Sequence, residues 1–177
     1  IVAINKMDKP AANPERVMRE MSEHGLTPDT WGGDTLFVPL SAKTHDGIPV
    51  LLDNLLLIAE MQELKANPKR YAFGTVIESK LDKNVGSEVT LLVQNGTLRL
   101  GDPIVVGEFF GKVRTIKNDL GEEVVEVLPG APAEVTGISG VPTAGDKFMA
   151  FESEKKAHQV AEQRSETAKL KSNTLSS

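Results

Sequence analysis

The chain of 177 residues can hold one large domain or two small ones, and its 40% apolar and 25% charged residues match a water-soluble globular protein. No apolar run approaches the roughly 20 residues of a bilayer span, which argues against a membrane role. Zero cysteines exclude disulfides and thiolate metal sites, and the histidines at 24, 45 and 158 share no ligand spacing; the net charge of −5 excludes a strongly basic nucleic-acid binder and confines any RNA contact to a local patch.

The sequence opens on Ile1-Val2-Ala3-Ile4 with no initiator Met and no basic segment before it, and reads as an internal piece rather than a signal peptide or a natural start. This β-branched run predicts a strand buried in a parallel sheet. Asn13 at an N-cap position, Pro14 at the first helical position, the stripe Val17, Met18 and Met21, and a closing Gly25 predict a helix over 14–24. Trp31-Gly32-Gly33-Asp34 marks a turn, with Trp31 expected to pack beneath it. Residues 36–40 predict a second strand. Asp46 is expected to cap a longer helix that turns Ile48, Leu51, Leu52, Leu55, Ile58 and Ala59 inward. The order strand, helix, strand, helix implies a partial α/β layer, although two strands are fewer than such a sheet needs.

The polar, proline-containing segment 65–70 ends this pattern and acts as a linker. From Tyr71 to Phe151 the period drops to two, with strands predicted at 72–82, 88–95, 103–109, 111–117, 123–128, 132–139 and 146–151. Turn pairs such as Asn95-Gly96 and Gly145-Asp146 separate them. Many short strands with regular turns predict a small antiparallel barrel. Ser153 can cap a charged helix with a narrow apolar strip of Ala157, Val160 and Ala161, and the tail 172–177 is expected to fray.

Asn5-Lys6-Met7-Asp8 directly follows the first predicted strand, and Ser41-Ala42-Lys43 the second. Both fall where open α/β sheets bind ligands, at the carboxyl ends of parallel strands. They resemble the Asn-Lys-x-Asp and Ser-Ala-Lys elements by which P-loop GTPases recognise guanine. An ionised carboxylate only accepts hydrogen bonds, so Asp8 can take two from guanine N1–H and the 2-amino group, neither of which adenine offers. The resemblance further implies that Asn5 holds the neighbouring loops, that Lys6 lays its methylene stem along the base, and that the Ala42 N–H meets guanine O6. No Gly-x-x-x-x-Gly-Lys-Ser/Thr phosphate loop occurs in the sequence, nor the Thr and Asp-x-x-Gly elements that serve magnesium and the γ-phosphate. These residues are therefore not expected to hydrolyse GTP.

Further segments narrow the resemblance. Trp31-Gly32-Gly33, Gly74-Thr75-Val76-Ile77-Glu78, Leu92-Val93-Gln94-Asn95-Gly96-Thr97-Leu98, Asn118-Asp119-Leu120-Gly121 and Gly140-Val141-Pro142 resemble the bacterial initiation factor two family of translational GTPases over about residues 1–165. The resemblance implies three parts: 1–66, the base-reading part of a GTP-binding domain; 67–153, the second-domain β-barrel; and 154–177, a connecting helix with a frayed tail. It also implies GTP or GDP as ligand, with Mg²⁺ in the complete domain. The implied partners are the small ribosomal subunit with its rRNA and, through parts outside this chain, initiator tRNA. A monomer in the cytoplasm is expected.

Where that family usually carries Gly-Arg-Gly-Pro, this sequence has Asn84-Val85-Gly86-Ser87. The loss of that arginine leaves Lys80, Lys83, Arg99, Lys112, Arg114 and Lys117 as candidates for rRNA phosphates, against the alternative that exposed cations on strands protect edges and solubilise. Two other readings stand beside the GTPase: a ribosome-docking barrel with a vestigial nucleotide half, and a translational GTPase of the elongation type.

Overall fold

In the computed structural model, which describes residues 1–175, β1 (Val2–Ile4) and β2 (Phe37–Pro39) lie side by side in parallel. Val2 is opposite Phe37 and Ile4 opposite Pro39. Helix α1 (Pro14–Glu23) follows β1; the Asn13 side chain accepts from Arg16 N–H at 3.0 Å and Pro14 occupies the first turn, as the sequence predicts. Helix α2 (Ile48–Met61) follows β2, but Asp46 is not its cap. The cap is Gly47 in the left-handed conformation with no side-chain bond, while Asp46 accepts from Thr44 Oγ1 at 2.8 Å. Ile4, Phe37, Val38 and Leu40 are buried in this unit, which spans Ile1–Leu64.

Neither helix buries a residue. Of the α2 side chains expected to face inward, Ile48, Leu51 and Ile58 are half-buried, whereas Leu52, Leu55 and Ala59 are exposed. The strands β1 and β2, three residues each, offer too little surface to cover a helix face of four turns. Trp31 ends a short 3₁₀ turn (Asp29–Trp31) and is about half exposed rather than packed under the loop.

The second unit runs from Lys65 onward. Its strands are β3 (Phe73–Asp82), β4 (Gly86–Asn95), β5 (Leu98–Arg99), β6 (Pro103–Val106), β7 (Phe109–Lys117), β8 (Glu126–Val127), β9 (Pro132–Ile138) and β10 (Lys147–Ala150). Six of them close into a barrel in the order β10-β3-β4-β9-β7-β6, every pairing antiparallel and β6 returning to β10. Alternation along β4 explains the closure. Ser87, Val89, Leu91 and Val93 point into the core, and their neighbours stay partly exposed. Val76, Leu98, Ile104, Val106, Val113, Ile116, Val135 and Phe148 complete that core.

Two predicted strands shift. The 103–109 run ends at Val106, because Gly107 (φ 59°) and Glu108 form the two-residue hairpin turn in front of β7. Of 123–128 only Glu126–Val127 enters a ladder, paired not with the barrel but with the two-residue β5 that the periodicity did not reveal. The segment 65–70 is no free linker either: Asn67 N–H donates to Asn95 Oδ1 (2.9 Å), Gly96 N–H to Asn67 O (3.2 Å) and Thr97 Oγ1 to Pro68 O (2.7 Å). At Gly137 (φ 105°) any Cβ would lie 2.0 Å from Lys112 O, so β9 approaches β7 as only glycine permits.

Helix α3 (Glu154–Leu175) packs its predicted strip on this barrel. Ala157 and Ala161 are buried against Val105, with Phe110, Phe151 and Val160 beside them, and the Phe110 ring stacks on His158 at 3.7 Å. Ser153 Oγ accepts from Lys156 N–H at 3.4 Å. The helix continues through 172–175, where fraying is expected from sequence; residues 176 and 177 of that tail lie outside the described residues.

Asp102 gives the barrel a pH signature. Burial pushes its carboxyl above the usual range, partly offset by the Arg99 N–H (3.0 Å to Oδ2) and the Arg99 charge. The folded protein thus holds this proton more tightly than the unfolded chain, and stability falls as pH rises through the carboxylate range. Asp102→Asn, which keeps an acceptor for Arg99 N–H, is expected to remove this component, so that the variant gains stability relative to the parent on going from pH 3 to 7. Denaturant melts at both values check it; an unchanged pH dependence would count against the assignment.

Candidate guanine-recognition site

The parallel register brings the ends of β1 and β2 together, and the hydrogen bonding continues past the strands. Leu40 N–H donates to Ile4 O (2.9 Å) and Met7 N–H to Leu40 O (3.2 Å), which carries Asn5–Asp8 and Ser41–Lys43 to one edge of the unit. Ser41 is 1% exposed, and its hydroxyl donates to Asp8 Oδ1 at 2.8 Å while accepting from Thr44 N–H at 3.2 Å. That pairing occupies one lone-pair direction of the Asp8 carboxylate, and the side chain is otherwise exposed, with acceptor capacity remaining.

Asn5 Oδ1 joins the two loops. It accepts from Lys6 N–H at 2.7 Å and from Ala42 N–H at 3.0 Å. Lys6 adopts the left-handed conformation (φ 64°), which reverses the chain between Asn5 and Asp8. The Ala42 N–H expected to meet guanine O6 thus already has an acceptor. To reach a base it must share its hydrogen in a three-centre bond or exchange Asn5 for the ligand. Lys6 and Lys43 are exposed.

Two determinants of this loop were not legible as site residues. Ser41 N–H donates to Asp46 O at 2.9 Å, closing the neck of the 41–46 segment, and Thr44 bridges Ser41 and Asp46 through its amide and hydroxyl. Gly47 (φ 77°) sits where a Cβ would meet Pro39 O at 2.4 Å, so α2 can begin directly beneath the end of β2. The Thr-x-Asp-Gly spelling of 44–47 was the available signal.

The barrel cations are less free than their exposure suggests. Lys80 pairs with Glu88 (2.8 Å) and Glu134 (3.6 Å), Lys117 with Glu134 (3.9 Å), Arg99 with Glu126 (3.6 Å) and Lys112 with Glu154 (2.8 Å). The bond that Lys80 donates to Glu88 raises the Lys80 pKa, and the bond from Lys112 lowers that of Glu154. Lys83 and Arg114 have no acidic partner among the described residues. In the divergent loop, the Asp82 carboxylate takes N–H donors from Asn84 (2.7 Å) and Val85 (3.0 Å), which hold it below the usual range, and the buried Ser87 hydroxyl has no hydrogen-bond partner among the described residues. Among the described residues no three acidic, His or Cys side chains cluster as metal ligands, and no helix is long and apolar enough to cross a membrane.

Comparison with known proteins fits this geometry. Residues 71–151 match the family described as Elongation factor G domain 2. Translation initiation factor IF-2 of Bacillus cytotoxicus is 59% identical over 170 residues, 96% of this chain and 25% of that protein. The Bacillus anthracis protein of that name is 60% identical over the same shares. The chain therefore spans about a quarter of the length of the curated relatives it matches. Among solved structures, GDP-bound aIF5B from Aeropyrum pernix aligns with a TM-score of 0.72 at 24% identity, covering 94% of this chain and 36% of its own. At that identity the likeness speaks for the fold alone. Elongation factor SelB from Methanococcus maripaludis in its apo form aligns at 0.56 and 25%, covering 86% of this chain and 33% of its own.

Proposed function

Because this chain belongs to the translation initiation factor IF-2 family, with 59% identity along a quarter of a relative's length, we propose that residues 1–64 read the guanine base of GTP and GDP. The barrel, in this reading, docks the same protein on the small ribosomal subunit during initiation in the cytoplasm. The observation that carries the reading is the Ser41 Oγ to Asp8 Oδ1 bond of 2.8 Å between the ends of two parallel strands. Ser41 fixes one carboxylate oxygen, and the carboxylate then accepts from N1–H and the 2-amino group of guanine together. Asn5 tethers the Ala42 amide beside the place of O6, and the Lys6 stem covers one face of the base. Adenine presents no donor at that edge and would leave the carboxylate desolvated and unpaired.

Phosphoryl transfer depends on donors and cations placed around the phosphates, and Mg²⁺ would be held by groups outside these residues. The chain as it stands is accordingly expected to bind GDP only weakly and to release no phosphate from GTP. Isothermal titration and a phosphate-release assay test both points. Micromolar GDP affinity, or sustained turnover, would overturn this division of labour between base and phosphate contacts.

A second reading, the docking barrel with a vestigial nucleotide half, draws on the contrast between the closed barrel core and the two helices that bury no residue. Nucleotide titration of a longer protein that includes a phosphate loop separates the two. Tight GDP binding supports the first and its absence the second. For rRNA, Lys83 and Arg114 are the candidates with no internal acid to displace; the other four would have to exchange a carboxylate for a phosphate.

A further inference from the structure

The 118–128 segment between β7 and β8 combines apolar exposure with a single sign of charge. Leu100 N–H donates to Val125 O at 2.9 Å, which extends the β5–β8 pairing by one step beyond the buried pair Leu98 and Val127. The pleat therefore aims Leu100 and Val125 to the same side as that buried pair, but at the open rim, where they line a groove of about 270 Å³ floored by Ile116 and Val124. Val125 is 69% exposed and Leu120, at the preceding turn, 75%.

Leu120 is not exposed through looseness of its turn. Asn118 Oδ1 accepts from the N–H groups of Leu120 and Glu122, both at 3.0 Å. The Asn118 amide donates to Glu122 O at 3.0 Å, and its Nδ2 to Glu122 Oε2 at 2.9 Å. A side-chain-locked turn thus holds a large aliphatic group out in water, at an ordering cost already met before any partner arrives.

The charges select the partner. Residues 118–128 contain Asp119, Glu122, Glu123 and Glu126 and no Lys, Arg or His. Only Glu126 forms an ion pair among the described residues, with Arg99 at 3.6 Å; Lys117 stands across the strand from Glu123 but pairs with Glu134. Arg114 is the one cation that lines the groove, together with Glu123. A nucleic-acid backbone would bring phosphates against three carboxylates that form no ion pair among the described residues, the reverse of the complementarity such binding needs. A purely apolar partner would desolvate the same carboxylates without compensation. The groove is also smaller than the roughly 300–1,000 Å³ of small-molecule sites, but takes one or two aliphatic side chains.

We propose that this rim of the barrel is a docking surface for a basic polypeptide segment, one that inserts an aliphatic side chain between Leu100 and Val125 and sets Lys or Arg beside Asp119, Glu122 and Glu123. The proposal concerns residues of the second unit and goes beyond the nucleotide reading above; because Arg114 lines the same groove, it competes with the rRNA contact considered for that residue.

The test uses the full chain with isotope-labelled Leu and Val methyl groups, titrated with a short peptide alternating Lys and Leu, with oligolysine of equal length and with single-stranded oligouridylate. The Lys/Leu peptide is expected to shift the methyl signals of Leu100, Leu120 and Val125, and the other two probes to leave them in place. Glu122→Lys combined with Glu123→Lys, and separately Leu120→Ser, should each weaken that binding about tenfold while the remaining barrel methyl spectrum is retained. The second variant guards against a turn that fails to form in the first. Equal response to oligolysine would reduce the site to charge alone, and response to oligouridylate would make the rim an RNA face. Either result, shifts confined to the exposed leucines of α2, no shift at all, or variants that bind as well as the parent would overturn the proposal.

Discussion

Asp8→Asn, placed in a longer protein that supplies the phosphate loop, is expected to weaken GTP and GDP binding by about 10²-fold to 10⁴-fold and to shift preference toward xanthine nucleotides. A carboxamide presents Nδ2–H where guanine presents N1–H and its 2-amino group, so two donors face a donor. Xanthine carries a 2-oxo group there, which accepts from the same Nδ2–H. The structure explains why base preference is separable from folding in this variant. Ser41 Oγ donates to Asp8 Oδ1 at 2.8 Å, and the amide oxygen of Asn can accept that hydrogen in place of the carboxylate. Competitive titration with GDP and XDP, beside a thermal melt, is the measurement. Unchanged guanine affinity would remove Asp8 from the site, and a collapsed melt would make the loss of binding uninformative about the base.

The largest structural effect is expected at Phe148. Its ring is 1% exposed, and in the ladder it lies opposite Gly74 of β3 on one side and Val106 of β6 on the other. Strand β10 has only four residues and is the element that turns an open sheet into a closed barrel. Phe148 fills the space that Gly74, without a side chain, leaves on the core side. Phe148→Ala should cost about 3–5 kcal/mol, the transfer of a ring plus the cavity it leaves, and lower the melting temperature of the barrel by on the order of 10 °C or more. Phe148→Leu, which keeps most of the apolar volume, should cost less than half as much. Circular dichroism melts of the two variants, with hydrogen exchange along β3 and β6, measure the effect. A Phe148→Ala protein that melts with the parent would show that closure does not depend on this ring.

The local sequence determined more of this protein than its modest length suggests. Period-two alternation in β4 and β9 placed two of the barrel's strands to within two residues, because in a barrel wall inward positions are mostly apolar and turns favour Gly, Asn or Asp. The helix N-terminus at Asn13-Pro14 was equally legible, since capping and φ restriction act within one turn of chain. The two candidate guanine-recognition elements could be placed at strand ends from sequence alone, for each depends only on the strand before it.

What local pattern could not fix was everything set by a distant partner. The β5–β8 pair joins residues 98–99 to 126–127, and a two-residue strand carries no periodicity of its own. The expected inward face of α2 is in fact largely exposed at Leu52, Leu55 and Ala59, because an amphipathic stripe reports capacity for burial, whereas burial requires a surface to pack on. Lys80, Lys112 and Lys117 read as free cations until the fold set Glu88, Glu154 and Glu134 beside them. The same holds at the site. Sequence supplied Asn5, Asp8, Ser41 and Ala42 as residue types, but only the parallel pairing of β1 with β2 brought the Ser41 hydroxyl to Asp8 and gave Asn5 the Ala42 amide, contacts between residues 33 and 37 positions apart that no local rule encodes.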